Sequence, residues 1–282
     1  MIPQRDLSLL SNRLAQGGGR RIPEAVLERD YCLAWFLVGL SRTPLRERLA
    51  FKGGTALKRC YFGDYRFSED LDFTLTGDVP FDVIRQELEP VFAEVIRSAG
   101  VSIRFARQDK QAHQNSHTFY LGYEGPLPAT ARPKEVKVDM TIKEEIVFPV
   151  ESRRVLRAYR EYHDLPEDAE ILTYSLGEIA AEKVVALLDA ARNEPRDLYD
   201  IWFLTCNGHA NLGDLTSAIE KKWEFRGKKS PNARKALESK EARYKKLWDV
   251  RLAAQMVELP EFAEVFRAVR RALRGAGIIG KK

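Results

Sequence analysis

Cysteine is scarce in this chain. Cys32, Cys60 and Cys206 are the only three among 282 residues, they lie far apart, and none forms a CxxC pair. An odd, scattered set argues against a disulfide framework and a thiolate zinc site; idle thiols in a reducing cytosol fit better. Long apolar runs are missing too. The longest patch, LAWFLVGL at 33–40, falls far short of the roughly 18 residues that a membrane span needs. The N-terminus MIPQRDLSLL lacks the basic-then-apolar order of an export signal, so the expected location is cytoplasmic, with no membrane partner. No GxxxxGK[ST] loop and no HExxH occur. His113 and His117 stand four apart, but in a loop entering a strand, where they make a poor metal pair. GGGR at 17–20 has no strand before it and is not a dinucleotide fingerprint.

What is present is the composition of a globular protein, 44% hydrophobic and 31% charged, on a chain long enough for a sizeable core. The net charge of +5 is uneven: residues 221–251 hold twelve Lys/Arg against four Asp/Glu, or +8, leaving −3 for the remainder. Such a run is either a solvated face or an electrostatic footprint for nucleic acid. Trp223, Tyr244 and Trp248 among its lysines are either helix-packing residues or stacking platforms for RNA bases.

The periodicities divide the chain. GGGRR at 17–21 reads as a flexible break after a short first helix, and 22–40 as a buried helix with Pro23 near its start. A short helix is expected over 55–62, a strand over 67–75, and a helix over 81–99 that stops at Gly100. VSIRFA (101–106), HTFYLGY (117–123) and EVKVDMTI (135–142) read as strands. Beyond about 165 the pattern is helical: 176–191, 196–205, 214–225, 232–256 and 261–274. The expected fold class is therefore α+β, an N-terminal lobe with a sheet over 1–160 and a helical C-terminal lobe over 161–282 that carries the basic region.

Three carboxylates stand out. Asp70 and Asp72 are two apart, so on a strand they share a face while Leu71, Phe73 and Leu75 point into the core. Like charges that close need compensation, which a hard divalent cation, magnesium or manganese, supplies. The plain alternative is an exposed strand face that carries two aspartates. Asp139 lies on the polar face of EVKVDMTI beside Lys137; its plain role is a salt bridge to Lys137 or Lys143. If this strand pairs with the Asp70–Asp72 strand, the three carboxylates converge as a two-metal site requires. Just upstream, Gly53-Gly54-Thr55 precedes a helix. Glycine lets backbone approach a phosphate closely, a helix N-terminus favours an anion, and Thr55 could cap that helix while offering its hydroxyl.

Taken together, KGGTALKRCYFGDYRFSEDLDF resembles the signature of the AbiEii/AbiGii-type nucleotidyltransferase toxins, which include the MenT toxins, within the DNA polymerase β-like nucleotidyltransferase superfamily. The resemblance covers roughly residues 30–205 and is strongest in KGGTAL, RFSEDLDF and RDLYDI; the last 70 or so residues carry no motif matched to it. The superfamily pattern is Gly-Ser, then DxD or DxE, then a later Asp; threonine stands here for the serine and keeps the hydroxyl.

The resemblance implies a nucleotidyltransferase-like lobe with a mixed sheet flanked by helices. It implies an NTP held at Gly53, Gly54 and Thr55 with help from Lys52, metals on Asp70, Asp72 and Asp139, and Arg66 and Ser68 flanking the site. It also places Lys183 on the nucleotide phosphates. On a wheel of SLGEIAAEKVVALLDAA, which opens with the capping-box pattern of Ser175 and Glu178, Lys183 falls between Ile179 and Leu187 on the inward arc. The plain reading is a snorkelling lysine. RDLYD brings Asp197 and Asp200 onto one helix face, and the resemblance puts them in the active-site region with Asp200 the stronger participant. The implied reaction is NMP transfer from NTP to the 3′ end of tRNA, which would block translation, by a toxin with a cognate antitoxin. Two rivals stay open: transfer to a protein or small molecule, and a non-catalytic nucleic-acid-binding module of a toxin–antitoxin pair.

Overall fold

The computed structural model describes residues 1–16, 18–109, 114–227 and 232–280. Two compact units divide the chain: Met1–Glu144 with Val150–Tyr174 and Gln255–Val257, and Glu145–Pro149 with Ser175–Ala254 and Glu258–Lys282.

The first unit is α+β. Its strands are β1 (Leu49–Lys52), β2 (Leu71–Leu75), β3 (Ser102–Gln108), β4 (Ser116–Glu124), β5 (Glu135–Thr141), β6 (Val150–Arg154) and β7 (Glu170–Tyr174), in the order β3-β4-β5-β2-β1-β7-β6. β2 and β5 run parallel, as do β1 and β7; the other pairs are antiparallel. Alternation sets the two faces. Val136, Val138 and Met140 of β5 are buried while Glu135, Lys137, Asp139 and Thr141 are half-exposed, as period-2 pleating requires. The helices are α1 (Gln4–Ala15), α2 (Glu24–Ser41), α3 (Gly53–Ala56) and α4 (Phe81–Ala99). Phe81 of α4 packs on Phe105 and Phe119, which fixes the apolar face of the β3–β4 half. α2 is buried through the whole run 33–40, as expected of a helix that is apolar on all sides. α4 ends at Gly100 with φ 69°, a left-handed C-terminal residue that only glycine adopts without strain.

Several expectations change here. The strand expected over 67–75 begins only at Leu71, so Ser68 and Asp70 sit in the irregular segment leading into it. The helix expected from 55 starts at Gly53 and continues past Ala56 as a π turn over Leu57–Tyr61. Three strands escaped the periodicity. β1 is buried at all four positions, so it shows no alternation. β6 is an edge strand of charged, largely exposed residues. β7 is five residues long and runs into the Ser175 cap of the next helix, so the chain is not wholly helical after 165. Of the break expected over 17–21, Gly17 lies outside the described residues. Gly19 and Arg20 are fitted rather than loose: the Arg20 N–H donates to the Val257 carbonyl at 2.8 Å, and a Cβ at Gly19 would fall 2.1 Å from Val257 Cγ1.

The second unit is helical: α5 (Leu176–Leu188), α6 (Pro195–Cys206), α7 (Thr216–Phe225), α8 (Ala233–Leu252) and α9 (Phe262–Gly275). The Ser175 Oγ accepts the Glu178 N–H at 3.3 Å and caps α5. The Glu178 carboxylate does not return to complete a capping box. It accepts the N–H groups of Val147 and Phe148 and meets Lys222 Nζ at 2.5 Å, both side chains fully buried. Two lysines of the basic segment are structural. Lys222 also donates to the Glu145 carbonyl at 2.8 Å, and Lys240 donates to the carbonyls of Leu187 and Asp189 at the C-terminus of α5, where a cation is favoured. Trp223, Tyr244 and Trp248 are buried, with Trp248 Nε1 donating to the Pro260 carbonyl at 2.9 Å. They pack helices and are not stacking platforms. Lys228 and Lys229 lie outside the described residues. Among the described residues, no helix is long and apolar enough to cross a membrane.

Candidate active site

β1 ends at Lys52, and the chain turns sharply into α3 through Gly53, whose φ is +79°. That left-handed value strains any residue with a Cβ. A Cβ on Gly53 would also lie 2.5 Å from Asp72 Oδ2, so the missing side chain lets backbone touch that carboxylate. Gly54 is pressed in the same way, its Cβ position 2.5 Å from Arg66 Nη2 and 3.5 Å from Ser68 Oγ. Lys52 occupies the cap position of α3, and its side chain does not cap the helix. Thr55 is therefore not the cap. It is buried, and its hydroxyl donates to the Asp70 carbonyl at 2.5 Å, tying the glycine turn to the carboxylate segment. The first-turn N–H groups of a helix have no intrahelical acceptor, and Gly53, the first residue of α3, lies against Asp72.

Arg66 is 3% exposed. Its Nη1 donates to the Phe67 carbonyl at 3.3 Å and to Gln255 Oε1 at 3.2 Å, while the Phe67 N–H donates to the Gln255 carbonyl at 2.6 Å. Gln255, 189 positions along the chain from Arg66, carries no sequence signal and was missed. Sheet register does the rest. Lys52 pairs with Asp72 across β1–β2, Asp72 with Asp139 across β2–β5, and Asp139 with Thr118 across β5–β4. Directly paired residues project from one face, so Lys52, Asp72, Asp139 and Thr118 form one polar row. The pairing of β5 beside β2, on which convergence of the carboxylates depends, is present. Asp139 Oδ1 accepts from Thr118 Oγ1 and Oδ2 from Lys137 Nζ, both at 2.6 Å, so the salt bridge expected as the plain role of Asp139 exists. Burial lowers the Lys137 pKa, but the hydrogen bond and charge of Asp139, with the charge of Asp70, outweigh it and leave it raised. Thr118 was missed although HTFYLGY places it on the polar face. Lys52 is largely buried, its Nζ 5.5 Å from the Tyr174 ring centroid.

The donor set suits a hard divalent cation: the carboxylates of Asp70 and Asp72, with Asp139 on the neighbouring strand. Among the described residues, no group of three or more His, Cys, Asp or Glu is drawn together as a metal cage, and Lys137 supplies the counter-charge at Asp139. His113 lies outside the described residues; His117 packs on Phe81, with ring centroids 4.8 Å apart.

In the helical unit, Lys183, Asp197 and Asp200 come together. Lys183 Nζ lies 2.8 Å from Asp197 Oδ1 and 2.7 Å from Asp200 Oδ2, and Arg192 Nε lies 2.6 Å from Asp197 Oδ2. Lys183 does not snorkel: it is 12% exposed and both carboxylates are buried. Burial raises the Asp197 pKa, but the charges of Lys183 and Arg192 overcome that and hold it below the ordinary value.

The fold has solved counterparts. JHP933 from Helicobacter pylori superposes with a TM-score of 0.54 at 20% identity, covering 92% of this chain and 93% of that one. MenT4, a nucleotidyltransferase toxin from Mycobacterium tuberculosis, superposes with a TM-score of 0.57 at 19% identity, covering 95% and 88%. At such identities the likeness is one of fold. No curated protein matches the chain. The family model of the nucleotidyl transferase AbiEii toxin of type IV toxin–antitoxin systems matches residues 35–274, a span that contains the glycine turn, all three strand-side carboxylates and the Lys183 cluster. The chain belongs to the AbiEii family of nucleotidyltransferase toxins.

Proposed function

We propose that this toxin transfers an NMP group from an NTP to the 3′-hydroxyl of tRNA, blocking translation until a cognate antitoxin restrains it. The observation that carries this reading is the polar row Lys52–Asp72–Asp139, closed at one end by a left-handed glycine in contact with the Asp72 carboxylate. Backbone N–H groups at Gly53 and Gly54 suit the phosphates of an NTP, and Lys52 and Arg66 supply charge beside them. Ser68, against Gly54, offers a hydroxyl to the same phosphates. Asp70 and Asp72 would hold magnesium or manganese, with Asp139 as the third carboxylate. A divalent ion there would neutralise charge on the phosphates and lower the pKa of the acceptor hydroxyl.

The chain's own part is positioning and charge. The acceptor oxygen forms its bond to the α-phosphorus, and the bond to the β-bridging oxygen breaks. Pyrophosphate leaves with that electron pair, and the hydroxyl proton passes to a carboxylate oxygen of Asp139. Lys183, oriented by Asp197 and Asp200, is the cation of the helical unit that we assign to the nucleotide phosphates. Asp197 and Asp200 act through it.

The test is incubation of the protein with total tRNA, Mg²⁺ and each labelled NTP in turn, beside an Asp70→Ala, Asp72→Ala variant. Label in RNA with the wild type and none with the variant is the expected result. Metal-dependent NTP binding without label in RNA would overturn tRNA as the acceptor and point to a protein or small molecule.

A further inference from the structure

The in-line displacement proposed above places the acceptor hydroxyl and the departing pyrophosphate on opposite sides of the α-phosphorus. The glycine turn and Lys52 lie on the β1 side of the carboxylates. The acceptor then belongs on the β5–β4 side, and that side holds a cavity of about 640 Å³, within the range of roughly 300–1,000 Å³ that holds small-molecule-sized ligands.

Register shows how the cavity is built. Lys137 pairs with Tyr120 across β5–β4, and Tyr120 with Arg107 across β4–β3. These three continue a second polar row, level with Asp70 and one pleat from the Asp72–Asp139 row. Phe119 and Leu121 point to the other face, toward the α4 side. Tyr120 is half-buried, and the Arg107 guanidinium carbon lies 3.5 Å from its ring centroid, a ready-made stack of the kind on which a nucleobase continues. Arg29, Lys134 and Lys137 line the cavity with Asp70, but Glu69, Glu28 and Asp139 pair with them. Such a lining suits a single nucleotide with one phosphate better than a run of backbone. Glu28 is fully buried, its Oε1 accepts from Lys134 and from the Leu127 N–H, and its Oε2 has no hydrogen-bond partner among the described residues. A buried carboxylate oxygen in that state is costly and out of a ligand's reach, so the part of Glu28 is to hold Lys134 at the cavity wall.

We propose that this cavity beside Asp70 is the acceptor subsite, which holds the 3′-terminal nucleotide of an RNA strand with its base on Tyr120 and Arg107 and its ribose toward Asp139. The proposal rests on the RNA reading of the acceptor.

The test compares the full-length wild type with Tyr120→Ala and Tyr120→Phe. Three quantities are measured: transfer of label from NTP to RNA as a function of RNA concentration, binding of a fluorescent single-stranded oligoribonucleotide with a free 3′-hydroxyl, and metal-dependent NTP binding. One stacked base contributes roughly 5- to 150-fold in affinity. Tyr120→Ala is expected to raise the KM for RNA and the oligonucleotide Kd by about tenfold or more, with NTP affinity within twofold, and Tyr120→Phe to restore both. Intact NTP binding shows that the alanine variant is folded. Transfer by the wild type with KM and Kd unmoved in Tyr120→Ala overturns the subsite and leaves the RNA reading standing. Absence of transfer, with oligonucleotide binding that still depends on Tyr120, supports the subsite and overturns the reaction. Absence of both transfer and binding overturns the two together.

Discussion

Replacing Gly53 with alanine should damage the protein twice over. The first effect is conformational. Gly53 has φ +79°, and holding an L-residue in the left-handed region costs about 1–2 kcal/mol. For a unit of this size, that corresponds to a fall in Tm of roughly 2–8 °C. The second effect is steric and local. The new Cβ would sit 2.5 Å from Asp72 Oδ2, where ordinary contact begins at 3.4 Å, so the carboxylate or the turn has to move by about 0.9 Å, the difference of those two distances. Displacements near 1 Å in a reacting constellation can reduce rate by about 10²-fold. Gly100→Ala separates the two effects, because Gly100 has φ 69° with nothing within 4 Å of its Cβ position. Both variants should lose thermal stability by calorimetry, but only Gly53→Ala should lose nucleotidyl transfer. Gly54→Ala meets the buried Arg66 guanidinium, which Gln255 holds, rather than a left-handed backbone, and should displace Arg66 with a smaller fall in Tm. Gly53→Ala with transfer within threefold of wild type would refute the argument that this turn is shaped around Asp72.

The remaining predictions concern buried charge and positioning. Lys222→Met leaves the fully buried Glu178 without its cation and should destabilise the protein by about 3–5 kcal/mol in urea titration, part of which a second Glu178→Gln change should restore; a loss below about 1 kcal/mol would remove the pair from the account of stability. Burial lowers the Lys58 pKa to about 7, outweighing the attraction of Asp30. The folded state therefore releases this proton before the unfolded state does, so stability should rise from pH 7 toward 10.5 by up to about 1.4 kcal/mol per pH unit. Urea midpoints at pH 7, 8 and 9 should show a flatter slope for Lys58→Met, and equal slopes would contradict the assignment. Gln255→Ala removes the acceptor that holds Arg66 Nη1; the KM for NTP should rise by about tenfold, and Gln255→Glu, which keeps an acceptor, should stay near wild type.

The amino-acid sequence was most informative where chemistry and spacing coincide locally. Asp70 and Asp72, the Gly53–Gly54 turn, the Ser175 cap and the Gly100 stop are all properties of a few consecutive residues, governed by pleat and helix geometry and by the absence of a Cβ. The longer amphipathic helices and the alternating strand β5 were legible for the same reason. Elements without a periodic signature were not. β1 is buried on both faces, β6 is an edge of charges, and β7 is too short to alternate. Within the basic segment charge counts say nothing about direction: Lys222 and Lys240 point inward and are matched by a carboxylate and by backbone carbonyls, whereas Lys221, Lys235, Arg243, Lys245 and Arg251 are exposed.

By itself, then, the sequence determined which residues could do the chemistry, the family they belong to, and the α+β class, because these follow from residue type, order and short-range period. Only the tertiary structure decided how they meet. Strand pairing set Asp139 level with Asp72, the hydroxyl of Thr55 was turned to the Asp70 carbonyl, and Gln255 was brought to Arg66 from 189 positions away. Such contacts depend on strand order, register and packing between distant segments, and no local pattern of side chains encodes them.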